Sequence, residues 1–186
     1  MKIKETDFKG LYLIEAEPIE DNRGFFMELF RKNVFAEAGI STDFLQVNQS
    51  FSKSNVLRAF HFQYDPPLGK MMRVVGGQAF LVAVDIRKKS PTFGKWFGEE
   101  FSDSGAKKAI YASPGFAMGF CVTGEFAKME YHFNAYYNKN GESAFKWNDP
   151  RIGVKWPIKG EPIVSERDDS AQSFDEWLKR PESDLF

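Results

Sequence analysis

Residues 71–86, MMRVVGGQAFLVAVDI, consist of two apolar runs that are separated by the glycine pair Gly76-Gly77. Short apolar runs bounded by turn residues are typical of the strands of a sandwich or barrel. Two such runs joined by two glycines indicate a β-hairpin. This stretch therefore predicts two antiparallel strands, at residues 71–75 and 78–86, joined by a tight turn.

The same pattern recurs through most of the chain. Further strands are predicted at residues 10–15, 25–30, 46–50, 56–62, 109–112, 119–122 and 127–133. Helical signals are few: residues 35–39 are predicted to form a short helix that stops at Gly39, and residues 173–179 to form one or two helical turns. Many short strands at a spacing of roughly 8–12 residues predict an all-β fold, an antiparallel β-sandwich or jelly roll with a few short helices. Because no linker divides the sequence, we expect residues 1–186 to form a single domain.

Composition limits the partners of this chain. Its formal net charge of −1 gives no electrostatic reason to expect nucleic acid or an anionic membrane. No apolar run approaches the roughly 20 residues that span a bilayer, and residues 1–7 lack the apolar core of a signal peptide. The single cysteine, Cys121, excludes a disulfide within the chain and fits a reducing compartment. We therefore expect a soluble, cytoplasmic protein.

The residues best suited to chemistry lie in residues 58–63, RAFHFQ, and at Lys70. The imidazole of His61 can accept a proton near pH 7, and the ammonium of Lys70 can stabilise an oxyanion. Regular alternation along a strand would put Arg58 on one face, and His61 on the other. The chain has two histidines, so a metal site built on several imidazoles cannot be made.

A series of motifs resembles the dTDP-4-dehydrorhamnose 3,5-epimerase family. Residues 21–28, DNRGFFME, are similar to its opening motif, and residues 46–50, QVNQS, to its second. RAFHFQ is similar to the RGLHYQ signature of the family. The series continues in order through Lys70 and through residues 84–87, 90–94, 114–117, 147–150, 153, 156–157 and 165–168. Each motif is weak alone, but this many in the right order are specific.

The resemblance implies a cupin-type jelly roll, usually a homodimer, that acts on a dTDP-linked 4-keto-6-deoxyhexose without a metal or other cofactor. It assigns His61 as the base and Tyr131 as the acid on the opposite face of the sugar. Lys70 would hold the enolate oxygen, and Asp168 would orient the ring of His61. Asp169 is the alternative partner of His61 if the register is displaced by one residue.

The resemblance also assigns residues to substrate binding, some of them reaching the site of the neighbouring subunit. Arg58 would lie near the diphosphate, where its guanidinium can bond two oxygens. Phe26 could stack on the thymine base. The full set is Arg23, Phe26, Glu28, Gln46, Asn48, Arg58, Met118, Tyr137, Glu142 and Arg167.

Two positions depart from the family pattern. Ala59 stands where the family has glycine, and its methyl group could narrow the pocket or be absorbed by the core. Met118 stands where the family usually has histidine, and methionine offers no proton. We expect proton abstraction to persist, while the choice of substrate, or whether C3, C5 or both are inverted, is left open.

Three other functions are compatible with parts of the sequence. Met118 favours a non-catalytic nucleotide-sugar-binding module, which the retention of His61, Lys70 and Tyr131 opposes. A sugar 3,4-ketoisomerase on the same fold would also pass through an enolate. A metal-dependent dioxygenase commonly needs two or three histidines and a carboxylate, whereas this chain has only His61 and His132, far apart in sequence. We interpret His132 as surface or structural.

Overall fold

The computed structural model describes residues 1–40, 43–105 and 107–186. Antiparallel strands dominate these ranges: β1 (Lys2–Glu5), β2 (Leu11–Glu15), β3 (Ile19–Asp21), β4 (Gly24–Phe26), β5 (Gln46–Lys53), β6 (Leu57–Gln63), β7 (Lys70–Asp85), β8 (Trp96–Ser102), β9 (Lys108–Ala112), β10 (Phe116–Phe133) and β11 (Glu142–Ala144). The helices are short: α1 (Lys32–Glu37), α2 (Glu166–Asp169) and α3 (Phe174–Leu178), with 3₁₀ turns at Lys139–Gly141 and Pro181–Leu185. The predicted all-β jelly roll is confirmed. In the described ranges, every helix is too short or too polar to cross a membrane.

One large sheet organises the molecule. Its order is β1-β2-β9-β7-β10-β6-β11, with β8 beside β7 and β5 beside β10. One edge of β10 pairs with β7 along most of its length, and the other edge pairs first with β6 and then with β5. The strands β3 and β4 form a separate hairpin. β10 thereby brings together the strands that carry most of the candidate site residues.

The predicted hairpin at Gly76-Gly77 is wrong. β7 runs unbroken past both glycines, and its register with β10 shifts beside them. Gly77 adopts a φ of +78°, and a β-carbon there would collide with the carbonyl oxygen of Phe126. The extra residue is Val75, which is left between the pairs Val74–Met129 and Gly76–Lys128. The glycines next to it allow a β-bulge within one strand, because a bulge needs the same backbone freedom as a tight turn.

The bulge keeps one apolar face of β7 turned inward. The inward residues are Met72 and Val74 before the bulge, and Leu81 and Ala83 after it. Regular alternation would have kept even-numbered positions inward throughout, so the inserted residue reverses the pleat. β10 joins the two strands predicted at residues 119–122 and 127–133, and in its register with β7 the intervening residues 123–126 fall opposite Gln78 alone.

Two apolar clusters lie on opposite faces of the sheet. The inner one includes Phe116 and Phe120, and the outer one is closed by Phe174 and Trp177 of α3. The ring of Trp177 packs edge-on against that of Phe62 on β6, with 4.6 Å between centroids. The predicted C-terminal helical turn is thus confirmed, and it anchors the end of the chain against β6.

Other predicted elements differ in extent. The strand predicted at residues 25–30 ends at Phe26, and the helix predicted at residues 35–39 lies at Lys32–Glu37. β8, with the sequence WFGEEFS, was not predicted, because a glycine and two glutamates interrupt its apolar pattern. Cys121 is fully buried on β10, and burial raises the pKa of its thiol to about 12.

Candidate active site

A cavity of about 410 Å³ opens beside β5, β6, β7 and β10. Most of the residues assigned to the site line it: Gln46, Asn48, Arg58, His61, Lys70, Met118, Tyr131, Tyr137, Glu142 and Arg167. The other lining residues have no role predicted from the sequence; they are Gln49, Ser50, Met72, Gly119, Phe120 and Phe133. Alternate residues of β5, namely Gln46, Asn48 and Ser50, are among those that line the cavity, as the alternation of side chains along a strand predicts.

His61 is held by Asp168. The distance between His61 Nε2 and Asp168 Oδ1 is 2.6 Å, and the exposed fractions of the two side chains are 28% and 3%. Asp168 lies on α2, where its backbone N–H donates to the side chain of the N-cap residue Ser165. A carboxylate can only accept, so Nε2 carries the proton and Nδ1 is the basic nitrogen. Asp169 is exposed and does not replace Asp168.

The expectation that Arg58 and His61 lie on opposite faces of their strand is wrong. Both line the cavity, whereas Ala59 and Phe60 between them are buried in the outer cluster. His61 pairs with Met118 on β10, but Arg58 pairs with Phe120, so β6 contains one extra residue. This bulge brings the guanidinium and the imidazole to the same side.

Lys70 lies at the start of β7 and donates from Nζ to the backbone carbonyl of His61 at 3.0 Å. Removal from water lowers the pKa of its ammonium to about 8, and the negative charge of Glu142 partly opposes this shift. Lys70 therefore remains largely cationic at neutral pH in poorly solvated surroundings.

Tyr131 lies on β10, and its hydroxyl forms a 2.9 Å hydrogen bond with the hydroxyl of Ser50 on β5. Burial raises the pKa of the Tyr131 phenol, while the bond to Ser50 and the charge of Arg58 oppose the increase. The phenol therefore keeps its proton at neutral pH.

Tyr137, Glu142 and Arg167 form a polar cluster beside these groups. The hydroxyl of Tyr137 donates to Glu142 Oε2 at 2.8 Å, and Arg167 Nη2 lies 2.7 Å from the same oxygen. Gln46 connects this cluster to β5, since its Oε1 accepts from the Tyr137 backbone N–H and its Nε2 donates to Asn48. Sequence regions far apart thus meet in one hydrogen-bonded network.

The two departures from the family pattern lie in different surroundings. Ala59 is fully buried in the outer cluster, so its methyl group is absorbed by the core. A β-carbon on Gly119 of β10 would collide with that methyl group. Met118 is 2% exposed and lines the cavity opposite His61 on the paired strand. Of the two, Met118 is the one that faces the cavity.

Arg23, Phe26 and Glu28 lie outside the cavity lining of their own chain. Arg23 forms a 2.6 Å ion pair with Asp21, and Glu28 forms one of the same length with Arg31. Phe26 is 74% exposed at the end of β4. The structure therefore does not bring these three residues together with His61.

His132 lies outside the cavity lining. Its Nε2 is 2.8 Å from Glu130 Oε1, and its ring contacts that of Phe44. These contacts confirm the structural interpretation of His132. The described residues also contain no group of three or more histidine, cysteine, aspartate or glutamate side chains arranged to hold a metal ion.

Comparison with known proteins gives a consistent result. Residues 5–176 match the family model described as dTDP-4-dehydrorhamnose 3,5-epimerase. The chain is 42% identical to the dTDP-4-dehydrorhamnose 3,5-epimerase of Shigella flexneri over 94% of this chain and 96% of that protein.

Two solved structures extend this similarity. The dTDP-6-deoxy-D-glucose-3,5-epimerase of Legionella pneumophila, in complex with dTDP-4-keto-L-rhamnose, has a TM-score of 0.89 and 36% identity, with 94% of this chain and 93% of that chain covered. A 3'-monoepimerase of Streptomyces bikiniensis, in complex with dTDP-quinovose, has a TM-score of 0.86 and 30% identity, with coverages of 94% and 89%. The fold is shared along nearly the whole of each chain.

Proposed function

Because the chain belongs to the dTDP-4-dehydrorhamnose 3,5-epimerase family, we propose that it inverts C3, C5 or both carbons of a dTDP-linked 4-keto-6-deoxyhexose through an enolate. The supporting observation is that His61, Lys70 and Tyr131 line one cavity. The hydrogens on both carbons beside a ketone are weakly acidic. Inversion needs a base, an acid on the opposite face, and a cation or donor at the ketone oxygen.

His61 is the proposed base. Its Nδ1 takes the hydrogen of C3 or C5 as a proton, the electrons of the C–H bond form the carbon–carbon double bond, and the ketone oxygen becomes negative. Asp168 then stabilises the imidazolium through the 2.6 Å contact without taking the proton itself. One positioned base contributes roughly 10²–10⁴-fold to the rate.

Lys70 is the proposed partner of the enolate oxygen. With a pKa of about 8, roughly nine in ten Lys70 side chains are charged at pH 7. Poor solvation strengthens the attraction between this ammonium and a developing negative charge. Lys70 therefore stabilises the enolate more than the neutral ketone, which lowers the barrier to proton removal.

Tyr131 is the proposed acid. Its phenol gives a proton to the carbon from the face opposite to His61, so the configuration inverts and the ketone is restored. The raised pKa of Tyr131 supports this role, because the phenol arrives protonated. Inversion of both C3 and C5 requires that this pair of groups act twice, once on each side of the ketone.

We assign the lining residues Gln46, Asn48, Arg58, Met118, Tyr137, Glu142 and Arg167 to binding of the sugar and diphosphate. Guanidinium groups suit the diphosphate, because they can bond two oxygens at once. The named ligands of the two solved structures are dTDP-sugars, which supports a dTDP-linked substrate.

We further propose a homodimer in which Arg23, Phe26 and Glu28 reach the site of the neighbouring subunit. The exposure of Phe26 and of Phe25, at 74% and 54%, supports this, because covering such rings removes apolar surface from water. We infer that residues 1–186 fold as one domain. The single cysteine supports a reducing compartment, and we place the reaction in the cytoplasm.

Incubation with dTDP-4-keto-6-deoxyglucose in deuterated water tests the function, with proton NMR as the readout. Deuterium together with inverted configuration at both C3 and C5 indicates double epimerisation, and the same result at one carbon indicates a single-centre enzyme. Repeating the assay with Met118→His examines whether this position sets that choice. Tight dTDP binding without exchange would select a binding module, and a carbonyl that moves to C3 would select a 3,4-ketoisomerase.

A further inference from the structure

The Tyr131 hydroxyl has a neighbour to which the proposed mechanism gives no role. Ser50 and Tyr131 lie on the adjacent strands β5 and β10, in which Asn48 is opposite Tyr131 and Met129 is opposite Ser50. The two hydroxyls are therefore diagonal neighbours on one face of the sheet, 2.9 Å apart, and both residues line the cavity.

We propose that Ser50 is a positioning residue that holds the Tyr131 hydroxyl as a proton donor toward the substrate and thereby sets the fraction of enolate that is inverted. This inference rests on the epimerase function proposed above. It concerns a separate property, namely the partition between two fates of the same intermediate.

The direction of the hydrogen bond decides whether Tyr131 can act as an acid. A phenol has one proton, so a Tyr131 that donates to Ser50 withholds that proton from the cavity. When Ser50 donates instead, the Tyr131 oxygen accepts and its own proton is free to point at the substrate. As that proton leaves, the oxygen becomes a phenolate, to which a donated hydrogen bond is stronger.

The protonation step balances with Ser50 in this role. The O–H bond of Tyr131 breaks and its electron pair stays on the phenolate oxygen. The electrons of the enolate double bond form the new C–H bond, and the ketone is restored. Ser50 keeps its own proton throughout, so it orients and stabilises Tyr131 without transferring anything.

The enolate has two fates. The imidazolium of His61, after exchange with solvent, can return a deuteron to the original face, which labels the sugar without inversion. Tyr131 can instead deliver from the opposite face, which inverts the carbon. Labelling here means uptake of deuterium without inversion. Weakening the Tyr131 donor should therefore favour labelling over inversion, whereas weakening substrate binding should reduce the rates of both together.

The chain provides a matched control on the same strand. Ser52 lies two residues after Ser50, and its Oγ accepts from Arg58 Nε at 3.0 Å. Ser52→Ala removes a hydroxyl that contacts Arg58, which is assigned to diphosphate binding, while the Ser50–Tyr131 hydrogen bond and the charge of Arg58 are retained. We expect it to raise KM and to leave the ratio of inversion to labelling unchanged.

The test measures labelling and inversion in deuterated water for the wild type, Ser50→Ala, Ser50→Thr and Ser52→Ala. Ser50→Ala loses a hydrogen bond to a developing charge. Its rate of inversion should therefore be about tenfold lower than that of the wild type. Labelling should fall less than twofold, and Ser50→Thr, which keeps the hydroxyl, should restore inversion. The phenolate absorbance of Tyr131, obtained by difference from Tyr131→Phe, should titrate at higher pH in Ser50→Ala.

An unchanged ratio in Ser50→Ala, or an equal loss of labelling and inversion, overturns the inference. If Ser50→Ala does not fold, Ser50→Cys keeps a weak donor of similar size and should give an intermediate ratio; a wild-type ratio there would also overturn it. Absence of exchange in the wild type with every 4-keto nucleotide sugar would instead reject the epimerase function itself.

Discussion

The two sides of the cavity hold their reactive groups by different means. On the base side, defined by His61 and Asp168, a nearly buried carboxylate supports an imidazole. On the acid side, defined by Tyr131 and Ser50, a neutral hydroxyl supports a phenol whose pKa is raised by burial, and the charge of Arg58 opposes that increase. The base becomes a cation and the acid becomes an anion during the reaction, so each side has the support that its charged form needs.

Asp168→Asn should have the largest effect, because it breaks the base side. The neutral amide stabilises an imidazolium much less than a carboxylate does, and its N–H can hold the ring of His61 in the other tautomer. We expect exchange and inversion to fall together by roughly 10²–10⁴-fold. The neighbouring Asp169→Asn is the matched control, since Asp169 is exposed, and it should keep wild-type rates. Equal losses in both variants would remove Asp168 from its proposed role.

Tyr131→Phe should separate the contribution of the acid side from that of the base side. The variant keeps the ring but loses the proton, so inversion should fall about 10²-fold while labelling by His61 stays within a few-fold of the wild type. Proton NMR in deuterated water reads both quantities in one experiment. Complete loss of labelling would mean that Tyr131 also takes part in forming the enolate.

Lys70 is the proposed partner of the enolate, which the base side forms and the acid side protonates. Its ionisation should make kcat/KM depend on pH. The ammonium is cationic below its pKa of about 8 and neutral above it, so kcat/KM should decrease on the alkaline side, about tenfold per pH unit beyond pH 8. Lys70→Arg keeps the charge at all these pH values. Whatever activity it retains should lack this decrease, and an identical profile in both proteins would exclude Lys70 as its cause.

Ala59→Gly should have the smallest effect. It changes β6, the strand that carries His61 of the base side. The methyl group of Ala59 is buried in the outer cluster rather than in the cavity. Glycine in a strand costs roughly 0.5–1 kcal/mol, so the free energy of unfolding in urea should decrease by about that amount. KM should not change. A substantial change in KM would show that the methyl group influences the cavity.

Sequence periodicity predicted the sheet but not the local breaks in it. The alternation in residues 71–86 identified extended structure, yet it could not distinguish a bulge at Gly76-Gly77 from a turn. That choice depends on how β7 pairs with β10, which is a non-local contact. For the same reason the sequence predicted opposite faces of the strand for Arg58 and His61. The extra residue in β6 is visible only in its register with Met118 and Phe120.

The site was predictable to the extent that its residues fall in recognisable motifs. The contact between His61 and Asp168, 107 residues apart, was expected from two such motifs. The bond between Ser50 and Tyr131 was not, although residues 46–50 were singled out as a motif. Its formation depends on the pairing of β5 with the second half of β10, and no local pattern specifies that register.

Cys121 has a practical consequence. The only thiol of the chain is fully buried and, with a pKa of about 12, almost entirely protonated at neutral pH. Thiol-directed dyes and spin labels react with the thiolate, so the folded protein should not react with them. A single cysteine introduced at an exposed position such as Tyr136, which is 67% exposed, could carry a spectroscopic reporter without prior removal of the native one.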